Sequence, residues 1–599
     1  MSSEHEEDVF KGRIDFSLWL KLSRFVRPYR SQVVSLALLA LVVACVDVAL
    51  PILSGLVIQS VQEGRGTDGL WKFGAGYAAA FCVLAACIYC FIIVAGRITC
   101  GVSADIREAA FRKLQSLQFA YYDRRNVGWL MARLTSDCNN LSRVFAWGLL
   151  DITWGVTVLT MMAGAMLYLN WKLALVVLAI APVLFLVSWW FQIRLLRASR
   201  AIKKTNSLIT GSFNEGIQGV RTTKSLVRES RNLDEFQTLS GRMYRETLRS
   251  ATFSAVFLPM VSAICAVGIG LALWRGGVGV QDGAIELALL VMFLGFASNI
   301  AGPAQELANT LTMIQNAGAS AERIQGLLDE PVTIADKPGN TAPMPDTIDR
   351  IEFKGISFGY KPETLVLRDF NLTVEQGQTV ALVGATGGGK STIVSLVCRF
   401  YEPTAGTILI NGIDYRDLRL LGLQGSLGIV QQQPQLFSGT VRDNIRFGRL
   451  DATDAEIEHA ARLANAHEFI ARLEKGYDSP VGEGGNQLST GQKQLISLAR
   501  AMVANPRIVV MDEATSSVDT ETERAIQSAV EHVLEGRIAF VIAHRLSTIR
   551  HADVILVIDH GRVVEQGNHH DLLARRGRYY ELYTNQFTHE REEELLAAT

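Results

Sequence analysis

Six apolar runs in the first half of this 599-residue chain constrain its fold more than any other feature. They lie at about 31–59, 71–99, 143–169, 172–193, 252–274 and 284–308. Each is long enough for a helix to cross a bilayer core, which takes roughly 20 apolar residues. A buried helix of a soluble protein explains any one of them. Six in succession predict an all-α membrane-spanning domain.

The connections set the expected orientation. Between runs two and three lie Arg107, Arg112, Lys113, Arg124, Arg125 and Arg133; between runs four and five lie eleven more Lys and Arg, from Arg197 to Arg249. The opposite connections, "VQEGRGTDGLWK", "LNW" and "RGGVGVQDG", are short and poor in positive charge. Positive loops stay inside, so both chain ends and both long loops are expected in the cytoplasm, with the chain in the cytoplasmic (inner) membrane. The long loops, with "ADIREAAFRKLQSLQ" and "RNLDEFQTLSGRMYRETLRS", themselves carry helical spacing. Ahead of the first run, "FSLWLKLSRFVRPYR" mixes apolar and basic residues, which predicts an interfacial helix ending near Pro28.

After about residue 326 the pattern changes. "DEPVTIADKPGNTAPMPDTIDR" reads as a linker. Short β-rich runs then alternate with helical patterns, the signature of an α/β domain with a largely parallel sheet. The expected organisation is an N-terminal segment 1–30, a six-span domain 31–325, a linker 326–349, an α/β domain 350–587 and an acidic tail 588–599. Net charge is −1, so no basic field argues for nucleic acid. The eight cysteines show no zinc spacing, and most lie in or beside apolar runs, as small hydrophobes do.

"GATGGGKST" satisfies the phosphate-loop pattern at Gly384, Gly389, Lys390 and Ser391, between the strand "TVALVG" and the helix "STIVSLVCRF". Backbone N–H groups of Gly384, Ala385, Thr386, Gly387, Gly388, Gly389 and Thr392 are placed to cradle a β-phosphate, Lys390 adds a point charge, and the Ser391 hydroxyl reaches Mg²⁺. "IVVMDEA" puts Asp512 and Glu513 at a strand end. The first acid suits Mg²⁺ and the second suits a base for the attacking water. His544 ends "FVIAH", where an imidazole reaches a γ-phosphate; a helix cap or core histidine is the alternative.

These elements, in this order and over essentially the whole chain, resemble the ABC transporters. By that resemblance Tyr360 in "ISFGY" is the adenine-stacking aromatic, and Gln432 in "IVQQQPQLFSGT" senses Mg²⁺ and γ-phosphate. "LSTGQ" is the signature, with Ser489, Thr490, Gly491 and Gln492; Asp519 closes the D-loop, His544 is the switch histidine, and "VGEGG" at 481–485 is a loop that touches the membrane domain. Residues 121–137 and 214–229 resemble the two coupling regions of exporters. Six spans and one nucleotide domain is the layout of a half-transporter. The resemblance implies an ATPase translocase using ATP and Mg²⁺ in a dimer, with Ser489 of one copy closing on phosphates held by the other. Helix starts favour anions, so the physics agrees. Most family members carry glycine at position 490. The threonine is either harmless variation or the mark of a heterodimer with one slow site.

The implied activity is export of an amphipathic small molecule or lipid by alternating access. A peptide or siderophore exporter shares the motifs, as does an ATP-gated channel or regulator. Asp47, midway along the first run, is costly in a bilayer and suits a cavity for cationic solutes. A protonated or hydrogen-bonded acid beside Pro51 is the alternative. Asn299, with Trp154, Trp189 and Trp190, is a further cavity candidate.

Overall fold

The computed structural model describes residues 16–64, 69–337, 339, 342–361, 363–512, 520–543 and 546–586. The chain forms two compact units. One comprises Met1–Ser116 and Arg125–Glu330, the other Leu117–Arg124 and Pro331–Thr599.

The first unit is helical. Among the described residues, six helices are long and apolar enough to cross a membrane: Arg27–Gln62, Leu70–Ser116, Val127–Leu178, Ile180–Gln218, Glu229–Gln281 and Leu287–Asp329. All but the first far outrun the apolar stretches that seed them. The fifth has 53 residues, about 80 Å at 1.5 Å per residue, against about 30 Å of hydrocarbon. Inside the third, the backbone leaves the helical region at Asn170 (φ −158°, ψ 101°), so two helices meet there. The Asn170 carboxamide accepts the Leu173 N–H at 3.1 Å, capping the helix that follows. This is the "LNW" turn expected between runs three and four. The later break at Ala179 precedes Pro182, whose ring disfavours continued helix.

Two apolar clusters hold these helices. One gathers Ala44, Val48, Val158, Met162, Phe293 and Phe296. The other joins Leu22 to Ile98, Val102, Leu141 and Ile324. The N-terminal helix Phe16–Leu22 therefore packs on its neighbours through one face: Leu22 is fully buried, Leu20 is exposed, and Trp19 meets Phe145 edge-on at 5.5 Å. The first and sixth helices cross closely where Gly295 faces Pro51; a Cβ on Gly295 would sit 2.9 Å from the proline ring.

Among its described residues the second unit has two sheets. An antiparallel sheet of β1 (Arg350–Phe358), β2 (Leu367–Glu375), β4 (Ala405–Ile410) and β5 (Ile413–Asp414) runs in the order β2-β1-β4-β5. The larger sheet holds β3 (Thr379–Val383), β6 (Leu427–Val430), β7 (Ile508–Asp512), β8 (Ile538–Ile542), β9 (Val554–Asp559) and β10 (Arg562–Gly567), in the order β10-β9-β3-β8-β7-β6. All its pairings are parallel except β10 with β9. Alternate residues feed the two faces: Ala381 and Val383 enter one core, Val380 and Leu382 the other.

Both ends of the expected linker and one internal segment differ from the sequence expectation. The sixth helix continues to Asp329, and Ala342 already pairs with Leu418 of the second unit. The expected linker 326–349 thus begins as helix and ends as part of the α/β fold. Residues 117–124, expected within the six-span domain, pack with the second unit instead.

Candidate functional site

The site grows from the carboxyl ends of the central parallel strands, where open α/β sheets bind ligands. After β3 the chain turns at Gly384 (φ 148°) and enters the helix Lys390–Val397 from Gly389 (φ 108°). Only glycine suits either position: a Cβ on Gly384 would collide with the Ile558 carbonyl, and one on Gly389 would lie 2.9 Å from Leu367. Ala385, Thr386 and Gly387 form the exposed crest of the turn.

Lys390 is buried beneath that crest, its ammonium donating to the carbonyls of Gly384 (2.7 Å) and Ala385 (2.9 Å). Burial pulls its pKa below the usual lysine value, against the charge of Asp512, which pushes it up. Asp512 ends β7, separated from β3 in the sheet by β8 alone. Ser391 is exposed in the first turn of the helix, and Asp512 is partly exposed. A hydroxyl and a carboxylate are the hard oxygen donors that Mg²⁺ takes, so this pair fits the ion.

Tyr360 follows β1 and is 41 % exposed. Its hydroxyl lies 3.2 Å from Thr392 Oγ1, on the phosphate-loop helix, and its ring meets Tyr401 edge-on at 5.1 Å. An exposed aromatic beside a phosphate loop offers a face to a planar base. Gln432 is exposed in the segment after β6. Arg500 ties this segment to the signature helix, donating to the Gln435 carbonyl at 2.9 Å.

Ser489 caps the helix Thr490–Val503 and forms a reciprocal capping box with Gln492. Thr490 is exposed at the first helical position, while Gly491 is buried. Glu513, Asp519 and His544 lie outside the described residues.

In the helical unit, Trp154 Nε1 donates to Asp47 Oδ2 at 3.1 Å, joining the first and third helices. Asn299 turns back on its own helix, donating to the Gly295 carbonyl at 2.9 Å. Asp47 precedes Pro51 by one turn and Asn299 follows Gly295 by one turn. In antiparallel helices, that places both to one side of the crossing. Trp189 and Trp190 are exposed, Trp189 stacking on Phe185 and Trp190 under Arg194. A second acid went unremarked in the sequence: Asp151 accepts from Thr310 at 2.9 Å. Its place within an apolar run was the available signal, as it was for Asp47.

Comparison with known proteins shows which family the chain belongs to. The family model described as the ABC transporter transmembrane region matches residues 33–303, and the one described as ABC transporter matches residues 367–516. An uncharacterized ABC transporter ATP-binding protein of Bacillus subtilis is 34% identical, over 97% of this chain and 96% of its own length. An ATP-dependent lipid A-core flippase of Syntrophus aciditrophicus is 33% identical, over 96% of each. A putative multidrug export ATP-binding/permease protein of Bacillus subtilis is 34% identical, over 94% of this chain and 98% of its own. Among solved structures, a bacterial Atm1-family ABC exporter with ATP bound superposes with a TM-score of 0.81 and 28% identity, covering 93% of this chain and 98% of that one. Six apolar helices and a nucleotide-binding ATPase domain fused in one chain make a multi-pass half-transporter, an architecture that implies dimerisation. The chain belongs to the ABC transporter family and has the exporter fold.

Proposed function

We propose that this chain pairs with a second copy of itself in the cytoplasmic membrane and exports an amphipathic small molecule or a lipid at the expense of ATP. The observation that carries the reading is the nearly full-length similarity to proteins named as a lipid flippase and a multidrug exporter. Both termini and the nucleotide domain face the cytoplasm, as the Lys and Arg of the long loops favour.

In this reading the base of ATP lies on Tyr360, the backbone from Gly384 to Thr392 wraps the phosphates, and Lys390 supplies positive charge. Ser391, Asp512 and Gln432 hold Mg²⁺, which supplies charge neutralisation to the phosphates when bound. Glu513 takes the proton of the attacking water, and His544 steadies the γ-phosphate. Ser489, Thr490, Gly491 and Gln492 of one copy close on the phosphates held by the other, with Asp519 beside them. The helix start then presents free N–H groups to the anion. ATP favours the closed pair, hydrolysis releases it, and the two states present the helical unit to opposite sides of the membrane.

The test is ATP turnover with Mg²⁺ by the chain purified alone in lipid, beside Glu513→Gln. Turnover that Glu513→Gln abolishes is expected, and solutes are then screened by stimulation. A folded chain that binds ATP without turning it over would contradict the homodimeric pump. It would favour a heterodimer or a gated, non-pumping role.

A further inference from the structure

The segment Leu117–Arg124 lies in sequence between two of the long helices but belongs by packing to the unit that holds the phosphate loop. The segment, with its short helix Phe119–Asp123, is fastened at four points. Phe119 stacks on Phe400 with ring centroids 4.1 Å apart. Gln118 Oε1 accepts the Thr333 N–H at 3.3 Å. Arg124 Nη2 donates to the Tyr360 carbonyl at 3.4 Å. The Tyr401 hydroxyl donates to the Asp123 carboxylate.

Tyr401 is the residue that joins this fastening to the nucleotide site. Its ring is set edge-on to both Phe358 (5.5 Å) and Tyr360 (5.1 Å). Tyr360 in turn reaches Thr392 on the phosphate-loop helix. The contacts Asp123–Tyr401–Tyr360–Thr392 therefore run unbroken from the segment to the phosphate loop. Burial, then the hydrogen bond to Asp123, push the Tyr401 hydroxyl well above its usual pKa, so it remains a donor at physiological pH.

We propose that Tyr401 is a positioning residue that passes occupancy of the Tyr360 ring to Leu117–Arg124, so that the base of the bound nucleotide sets how firmly this segment is held. The proposal rests on the reading of Tyr360 as the adenine platform. A base laid on Tyr360 restricts that ring. The edge-to-face contact then restricts Tyr401, and its O–H fixes Asp123. The segment is continuous at Ser116 with the second long helix and leads into the third at Val127. Its state is thus communicated along the chain without any dependence on the γ-phosphate.

The test is tryptic cleavage at Arg124 and Arg125 in the full chain in lipid, followed by mass spectrometry, with no ligand, with ADP and with inorganic tripolyphosphate. Cleavage that samples a transiently opened segment follows the population of that open form. ADP is expected to slow cleavage about tenfold, the scale of one charge-assisted hydrogen bond, and tripolyphosphate less than about twofold. Tyr401→Phe keeps the ring and loses the donor. It is expected to bind ADP nearly as tightly while ADP slows cleavage less than about twofold; Asp123→Asn should fall between the two. A residue that merely supports the fold would speed cleavage equally with and without ADP. An ADP effect unchanged in Tyr401→Phe, or equal protection of the unmodified chain by tripolyphosphate, overturns the proposal. Tyr360→Leu separates the underlying reading. If it leaves ADP affinity unchanged, the adenine platform falls and the proposal with it. If it weakens ADP while Tyr401→Phe changes nothing, only the link falls.

Discussion

Ser489 and Gln492 satisfy each other across the first turn of the signature helix: Ser489 Oγ accepts the Gln492 N–H at 3.3 Å, and Gln492 Oε1 accepts the Ser489 N–H at 3.0 Å. The serine oxygen is thereby fixed at the helix start, while its own O–H stays available to an anion.

Thr490 takes no part in that box and is exposed. Thr490→Gly removes bulk at the helix start without touching the cap. ATP turnover is expected to rise modestly, by about twofold, as suits a surface change worth about 0.5 kcal/mol. Steady-state ATPase in lipid checks it; a large loss would show that the threonine acts in the site.

Lys390 should lose its proton at a lower pH than an ordinary lysine, whose value is 10.5, because burial outweighs the attraction of Asp512. The sign is that of a cation disfavoured by desolvation: a lowered pKa means neutralisation begins earlier as pH rises. ADP affinity, titrated from neutrality upward, is expected to weaken before pH 10.5, at which half of ordinary lysines have deprotonated. Affinity that holds to that pH would mean the ammonium keeps its proton in the empty loop.

Asp137 is one of the anchors between the third and sixth helices. Its carboxylate accepts from Arg323 at 3.0 and 2.5 Å and from Ser320 at 2.8 Å, with Arg133 at 3.7 Å. Arg323→Ala leaves a buried carboxylate without its main partner, which costs about 3 kcal/mol. Thermal unfolding in lipid should show a marked loss, and Asp137→Asn with Arg323→Ala should recover part of it. Two independent losses would contradict the pairing.

Trp154→Phe removes the indole donor to Asp47. Hydrogen bonds between membrane helices are worth about 1 kcal/mol, so a small destabilisation is expected. Asp47→Asn keeps an acceptor for Trp154 and should cost less. If Asp47 serves a cationic solute instead, Asp47→Asn will reduce ATPase stimulation by cationic amphiphiles more than by neutral ones, with stability unchanged.

Much of this molecule is legible locally. The length of an apolar run dictates a spanning helix, and the spacing of Gly384, Gly389, Lys390 and Ser391 dictates a turn that glycine alone can make. Ser489 three residues before Gln492 dictates a helix cap. In each case the partners lie within a few residues, so order along the chain already holds the geometry. Tertiary structure decided what joins distant residues. Tyr401 and Asp123 are 278 positions apart, and no periodicity could show that Leu117–Arg124 packs with the phosphate-loop unit. Leu22 reads as an interfacial residue until helices brought from Ile98 and Ile324 bury it. For Asp47 the chain leaves a cavity acid and a hydrogen-bonded acid both open, and the partner Trp154 comes from another helix. The physical reason is the same throughout: hydrogen bonds and turns near in sequence follow from backbone stereochemistry, whereas the partner of a buried ring or carboxylate is chosen by how whole helices and sheets pack.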